Sequence, residues 1–144
     1  MRIAYHPNSG TLSDYTLGVW LAATVAAWPT VGAGTLINVR DPKHPFRIER
    51  ETSTVDKETI GGEPFSKINY TRYEASLEFP PIKEDEAAIW RAFCNATIDF
   101  RKPFILEHPL TLEKIIMTGK QPFPFTRTGY NSYTGGSVKW SERI

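Results

Sequence analysis

The sequence predicts a mainly β fold of the α+β class, an antiparallel β-sandwich or barrel with one packed helix, and three observations carry that expectation. Polar and apolar residues alternate on both sides of Gly61 and Gly62, which is the pattern of a long hairpin. Directly after Pro80 and Pro81 the period changes, and apolar residues recur at helical spacing. Beyond residue 103, short apolar runs are separated by turn residues, as in further antiparallel strands.

Taken in order, residues 1–16 (MRIAYHPNSGTLSDYT) hold turn chemistry in Pro7, Asn8, Ser9 and Gly10, and read as the start of an extended N-terminal arm over residues 1–35. Residues 17–28 (LGVWLAATVAAW) are apolar all round. Leu17, Trp20, Leu21, Thr24 and Trp28 sit at helical offsets, while Val19, Trp20, Thr24 and Val25 suit a strand, so both forms stay open. A membrane span needs roughly 20 apolar residues, and this run is bounded by Asp14 and Pro29; it is expected in the core or against a neighbouring subunit, without membrane insertion. A signal peptide fits poorly, because Arg2 alone would supply the charge and a polar stretch follows it. After a flexible break at residues 31–35, residues 36–40 (LINVR) read as a short strand stopped by Asp41 and Pro42.

The hairpin pairs residues near 47–60 with residues near 66–79, and adjacent glycines let the chain reverse at little steric cost. Its second arm turns Tyr73, Ala75, Leu77 and Phe79 to one face and Arg72, Glu74, Ser76 and Glu78 to the other. Pro80 and Pro81 lack backbone donors and end the strand. Glu84, Asp85 and Glu86 then occupy a first helical turn, where negative charge suits the helix dipole, although Lys83 is a poor N-cap residue. Ile89, Trp90, Phe93 and Cys94 form the expected inward stripe, and Asn95 and Thr97 end the helix. Residues 103–108 (PFILEH) and 112–119 (LEKIIMTG) read as strands around a turn at Pro109. Residues 119–136 form a turn-rich aromatic insertion, and Val138 and Trp140 alternate with Lys139 and Ser141 in a closing strand.

The whole reads as a single domain, residues 1–144, with no internal repeat or linker. Its 17 basic and 16 acidic residues nearly cancel, which argues against DNA wrapping, a polybasic membrane contact or an acidic partner. One cysteine excludes an internal disulfide framework and fits synthesis in a reducing cytoplasm.

The pattern carries no catalytic, cofactor or metal signature, so an enzyme is not expected. The three acids of one helical turn diverge instead of converging on a cleft. His6, His44 and His108 each precede a proline and lack the close spacing of a metal motif. Cys94, between Trp90, Phe93 and no histidine, reads as a buried small hydrophobe. Gly32 to Gly34 (GAG) lack the spacing and preceding strand of a phosphate loop. Arg72 with Tyr70 and Tyr73, and Arg127 with Phe125 and Tyr130, interleave cations with aromatics; at neutral net charge this favours a protein interface over single-stranded nucleic acid.

One resemblance covers residues 45–120. A charged strand, a glycine turn, RYEASLEFPP, an acidic-start helix and PFILEHP in that order resemble small siphophage tail-tip proteins of the minor tail or distal tail type. The resemblance implies a tail-tube or distal-tail-like β fold and a structural role. Copies would form a homo-oligomeric ring, most simply a hexamer, around the genome channel, linking tube to hub, tip or fibre proteins and touching the genomic DNA only in passing. It implies a virion protein made in the host cytoplasm, with no cofactor and no catalytic residue. Candidate subunit contacts are Trp20 and Trp28 in the apolar run, Gly61 and Gly62 in the hairpin, and Phe123, Phe125, Arg127, Tyr130 and Tyr133 in the insertion. A tail collar or other neck ring protein is an alternative, as is a carbohydrate- or receptor-binding module in which Trp140, Tyr130 and Tyr133 line a groove.

Overall fold

A computed structural model describes residues 1–6, 35–58 and 60–143. Among the described residues, nine strands and one helix follow in the order β1 (Arg2–Tyr5), β2 (Thr35–Asn38), β3 (Arg47–Glu58), β4 (Pro64–Glu78), α1 (Glu84–Thr97), β5 (Phe104–Glu107), β6 (Lys114–Gly119), β7 (Thr126–Gly129), β8 (Ser132–Thr134) and β9 (Ser137–Glu142). Seven strands form one antiparallel sheet, ordered β2-β1-β5-β6-β9-β4-β3, and β7 and β8 form a separate two-stranded sheet. Among the described residues, the expected mainly β fold with one packed helix is the fold observed.

The sequence-predicted hairpin is β3 and β4, in register from Arg47 opposite Ser76 to Glu58 opposite Pro64. Gly62 has φ +80° and an added Cβ there would meet nothing within 4 Å, so the turn uses the glycine for its backbone freedom. Ala75, Leu77 and Phe79 are buried as the alternation requires, with Tyr73 partly buried beside them.

The N-terminal residues correct the arm reading over residues 1–5. Arg2–Tyr5 is an interior strand between β2 and β5, and Ile3 and Ala4 are fully buried. Ile3 pairs with Leu106, and no local pattern reveals a partner so far along the chain. On the face away from α1, Arg2 grips Glu107 with two bonds, Nε to Oε1 at 2.9 Å and Nη2 to Oε2 at 3.0 Å, and Glu107 is nearly buried. Residues 7–34, including the apolar run 17–28, lie outside the described residues.

Helix α1 buries Ala87, Trp90, Phe93, Cys94 and Thr97. This corrects the expected stripe at Ile89, which is 40% exposed. Ala87, Trp90, Cys94 and Thr97 are spaced three, four and three apart, and that row turns Ile89 to the helix flank. Phe93 lies at the centre, with Tyr5 at 5.1 Å, Phe104 at 4.9 Å and Phe100 at 5.1 Å between ring centroids. Its full burial contributes about 1.5–3 kcal/mol. Trp140 stands edge-on to Phe100 and Phe104, and its indole N–H meets no acceptor among the described residues.

The helix stops on three successive left-handed residues, Ile98 (φ 52°), Asp99 (φ 52°) and Phe100 (φ 65°). A β-branched residue is strained there. Compensation comes from full burial of Phe100 and from a tight set of bonds: Asp99 N–H to Cys94 O (2.8 Å), Lys102 N–H to Thr97 O (2.9 Å) and Phe100 N–H to Thr97 Oγ1 (3.2 Å).

The insertion is also corrected in part. Phe123 and Tyr133 are buried members of the core, because the segment folds back over α1 instead of reaching outward. Phe123 stacks on Trp90 with centroids 4.4 Å apart. The proline corner is clamped from this side: Phe79 N–H donates to Gly136 O (2.9 Å), and Ile82 and Tyr133 exchange both backbone bonds (3.1 and 2.9 Å). Asn131 Oδ1 accepts the Glu84 N–H at 3.0 Å, and supplies the helix cap that the Lys83 side chain does not.

That cap yields a direct prediction. Asn131→Ala should lower stability by about 1–2 kcal/mol, from the lost helix bond and from an alanine held at φ 55°. Asn131→Gly should cost less, because only the cap is removed. Equal urea midpoints for Asn131→Ala and the parent chain would remove the cap from the account.

Candidate functional site

Two features face outward from this core. The larger is the free part of the β3–β4 hairpin. Among the described residues, strand β4 pairs with β9 only over residues 74–78, whereas residues 64–73 pair with β3 alone. At about 3.4 Å per residue, that leaves a two-stranded ribbon extending roughly 30 Å past the sheet. Its root is fixed at Tyr73, whose hydroxyl bonds Glu113 Oε2 (2.8 Å), whose N–H bonds Glu142 Oε2 (2.8 Å) and whose ring lies 5.1 Å from the Arg50 guanidinium. The hydrogen bond to Glu113 raises the Tyr73 phenol above its ordinary pKa.

Along the ribbon the pairing shifts between Ser53 and Thr54, from Tyr70 to Ile68, so that Asn69 is the extra residue of a bulge. Glu51, Thr52, Thr54, Asp56, Lys57 and Glu58 are exposed, and so are residues 60–64 around the turn. Ile60 at the tip is fully exposed. Along the outer edge, Arg47 bridges Glu49 (2.8 Å) and Glu51 (2.9 Å), charge that discourages unspecific strand pairing.

The smaller feature is the β7–β8 hairpin. Arg91 on α1 reaches across to it, with Nη2 donating to Tyr133 Oη at 2.8 Å and Nη1 to Glu84 Oε1 at 3.2 Å. Its guanidinium lies 5.2 Å from the Phe125 ring and 5.1 Å from the Tyr133 ring, and Arg127 lies 5.9 Å from Tyr133 on the same sheet. Hydrogen bonds from Tyr133 and Arg91 hold the Glu84 carboxyl below the usual carboxylate range. This network anchors the hairpin to the helix, and leaves Tyr130, almost fully exposed, at its tip.

No protein-family model matches the chain, and no curated protein matches it in sequence.

The structure therefore sorts the sequence-predicted contacts. Gly61 and Gly62 sit at the ribbon tip. Phe123, Phe125, Arg127 and Tyr133 are brought together, but Phe123 and Tyr133 are buried and Phe125 is partly buried, leaving Arg127 and Tyr130 as the exposed members. Trp20 and Trp28 lie outside the described residues. A sugar groove lined by Trp140, Tyr130 and Tyr133 is corrected as well, since Trp140 and Tyr133 are both buried.

Sequence reasoning missed Ile60, Asn131 and Arg91. An isoleucine beside two glycines in a turn was the available signal for Ile60. Nothing local marks Asn131 and Arg91, whose roles depend on distant partners.

Of the remaining titratable groups, Glu84 and Glu86 turn to different partners, Glu86 bridging Arg40 at 2.8 Å. His44 and His108 flank Phe46, with centroids at 5.0 and 6.2 Å, and His108 Nδ1 accepts the Leu110 and Thr111 N–H groups of the β5–β6 turn. Burial pushes the Cys94 thiol up to about 11, which keeps it protonated at neutral pH. Among the described residues, no three His, Cys, Asp or Glu side chains converge as a metal site, and no helix is long and apolar enough to cross a membrane.

Proposed function

We propose that this chain is a structural subunit of a bacteriophage tail, forming a homo-oligomeric ring at the tail tip or distal tail and linking the tube to tip or fibre proteins. The observation that carries this reading is the overhanging β3–β4 ribbon. A lone two-stranded hairpin is marginally stable in water, and an exposed long edge strand is an aggregation hazard. A ribbon rooted firmly by Tyr73 and, among the described residues, paired with no third strand beyond it suits a subunit whose neighbour completes it. Residues 45–120, which carry the tail-tip resemblance, span the ribbon, the proline corner and the helix. In this reading the ring is hexameric, surrounds the genome channel and belongs to the virion.

The test combines location with a shortened ribbon. Antibody labelling and mass spectrometry of purified virions should place the chain at the tail tip. Replacing residues 55–67 by Asn-Gly closes a two-residue turn between the paired Thr54 and Ile68, and should leave a folded subunit that no longer enters particles. A chain missing from virions, or a shortened chain incorporated as well as the parent, would overturn the proposal.

A further inference from the structure

On the face of the sheet away from α1, strands β4, β9 and β6 and the segment that follows β6 border a polar cleft of about 520 Å³. That volume falls within the roughly 300–1,000 Å³ of small-molecule sites. The alternation of the strands builds its wall. Val138 and Trp140 of β9 and Met117 of β6 are buried on the helix side, so Lys139, Ser141 and Thr118 stand on the opposite face. Thr118 lies opposite Ser141 and Gly119 opposite Trp140, and one further step of that register brings Lys120 beside Lys139 at the end of the ladder.

Like charges at facing positions destabilise a sheet, and here nothing in the fold offsets them. The β4 residue opposite Lys139 is Ser76, and neither Lys120 nor Lys139 makes a hydrogen bond or ion pair among the described residues. The two carboxylates of the cleft are engaged elsewhere. Glu74 accepts Arg72 Nε at 2.5 Å and the Ser141 hydroxyl at 2.7 Å, and Glu142 Oε2 accepts the Tyr73 N–H at 2.8 Å. Each carboxylate oxygen has more than one lone pair, so both side chains can still accept from a hydroxyl. The cleft therefore has two unanswered positive charges at one end and an acceptor-rich wall beyond them.

The geometry points to a binding site for a sugar phosphate, with the phosphate between Lys120 and Lys139 and the sugar hydroxyls against Glu74, Glu142 and Thr118. A phosphate monoester carries close to two negative charges at neutral pH, which two ammonium groups match. Inorganic phosphate alone would occupy only a small part of the cleft. Hydroxyl groups suit the rest of the wall, because an apolar group there would strip water from polar oxygens without replacing their hydrogen bonds. This site stands whether or not copies of the chain assemble as a ring.

Isothermal titration calorimetry on the full chain at low salt tests it, with glucose 6-phosphate and ribose 5-phosphate as probes. One or both should bind saturably, glucose and ribose should not bind, and inorganic phosphate should bind about tenfold more weakly or worse. Lys120→Gln combined with Lys139→Gln should weaken the sugar phosphate by about tenfold or more, and should keep the parent circular dichroism spectrum because both side chains are exposed. Lys57→Gln, on the ribbon, should bind as the parent does. Without ligand, the double variant should melt at or above the parent temperature, since a repulsion is relieved. Failure of both sugar phosphates to bind would overturn the site, as would equal binding of glucose or of inorganic phosphate. A double variant that binds like the parent, or that melts well below it, would overturn it too.

Discussion

Gly135→Ala should unfold the protein or bring it close to unfolding. A Cβ at that position would collide with the Phe79 carbonyl oxygen and stand 2.7 Å from the Phe79 and Pro80 carbonyl carbons. All three are backbone atoms, so no rotamer change relieves the clash. The backbone there is held on both sides, by the Phe79 to Gly136 bond and by the paired Ile82 and Tyr133, and Pro80 and Pro81 cannot turn away because their φ is fixed. Core overpacking usually costs about 1–3 kcal/mol, and a backbone collision in a closed corner belongs at or above the top of that range. Gly129→Ala is the matched control, since a Cβ there meets nothing within 4 Å. Thermal melts should show a small change for Gly129→Ala and a collapse for Gly135→Ala. A Gly135→Ala chain that melts with the parent would mean that the corner is not closed in this way.

Trp90→Ala should cost about 3–5 kcal/mol. The ring is where helix, corner and insertion meet: centroids of Phe123 and Phe79 lie 4.4 and 4.9 Å away, with Phe93 at 6.1 Å and Trp140 at 6.4 Å. Its removal leaves a cavity that rings fixed by other contacts cannot refill. Phe123 also loses its platform, so limited proteolysis should cut within residues 119–136 well before the parent is cut there. Ile89→Ala, next in sequence but on the helix flank, should cost less than about 1 kcal/mol. Equal urea midpoints for the two variants would place the helix in the wrong rotation.

The contrast between Ile89 and Trp90 shows what the sequence made legible. The hairpin, the corner and the existence of the helix follow from local rules: period two, a double glycine, a double proline and acids in a first turn. Those rules act within a few residues, and the observed elements obey them. The direction in which a segment buries its side chains is different, because distant partners set it. Phe123 and Tyr133 sit in turn-rich text that reads as a surface loop, and only the Trp90 ring of the distant helix gives Phe123 a place to stack. Arg2–Tyr5 likewise becomes an interior strand because β5 lies beside it. The ribbon was legible as a hairpin but not as an overhang, since where β9 stops pairing with β4 is a fact of register.

The position of β9 governs when the fold can close during synthesis. It is the strand between β6 and β4, so a nascent chain that stops before Ser137 holds two sheet fragments, β2-β1-β5-β6 and β4-β3, with no strand joining them. Domains complete their folding only when their last essential element has left the ribosome. The ribbon is nearly complete halfway through translation, yet the anchor of Tyr73 on Glu142 arrives only with the final residues of β9. An incomplete chain therefore carries a ribbon without a rigid root.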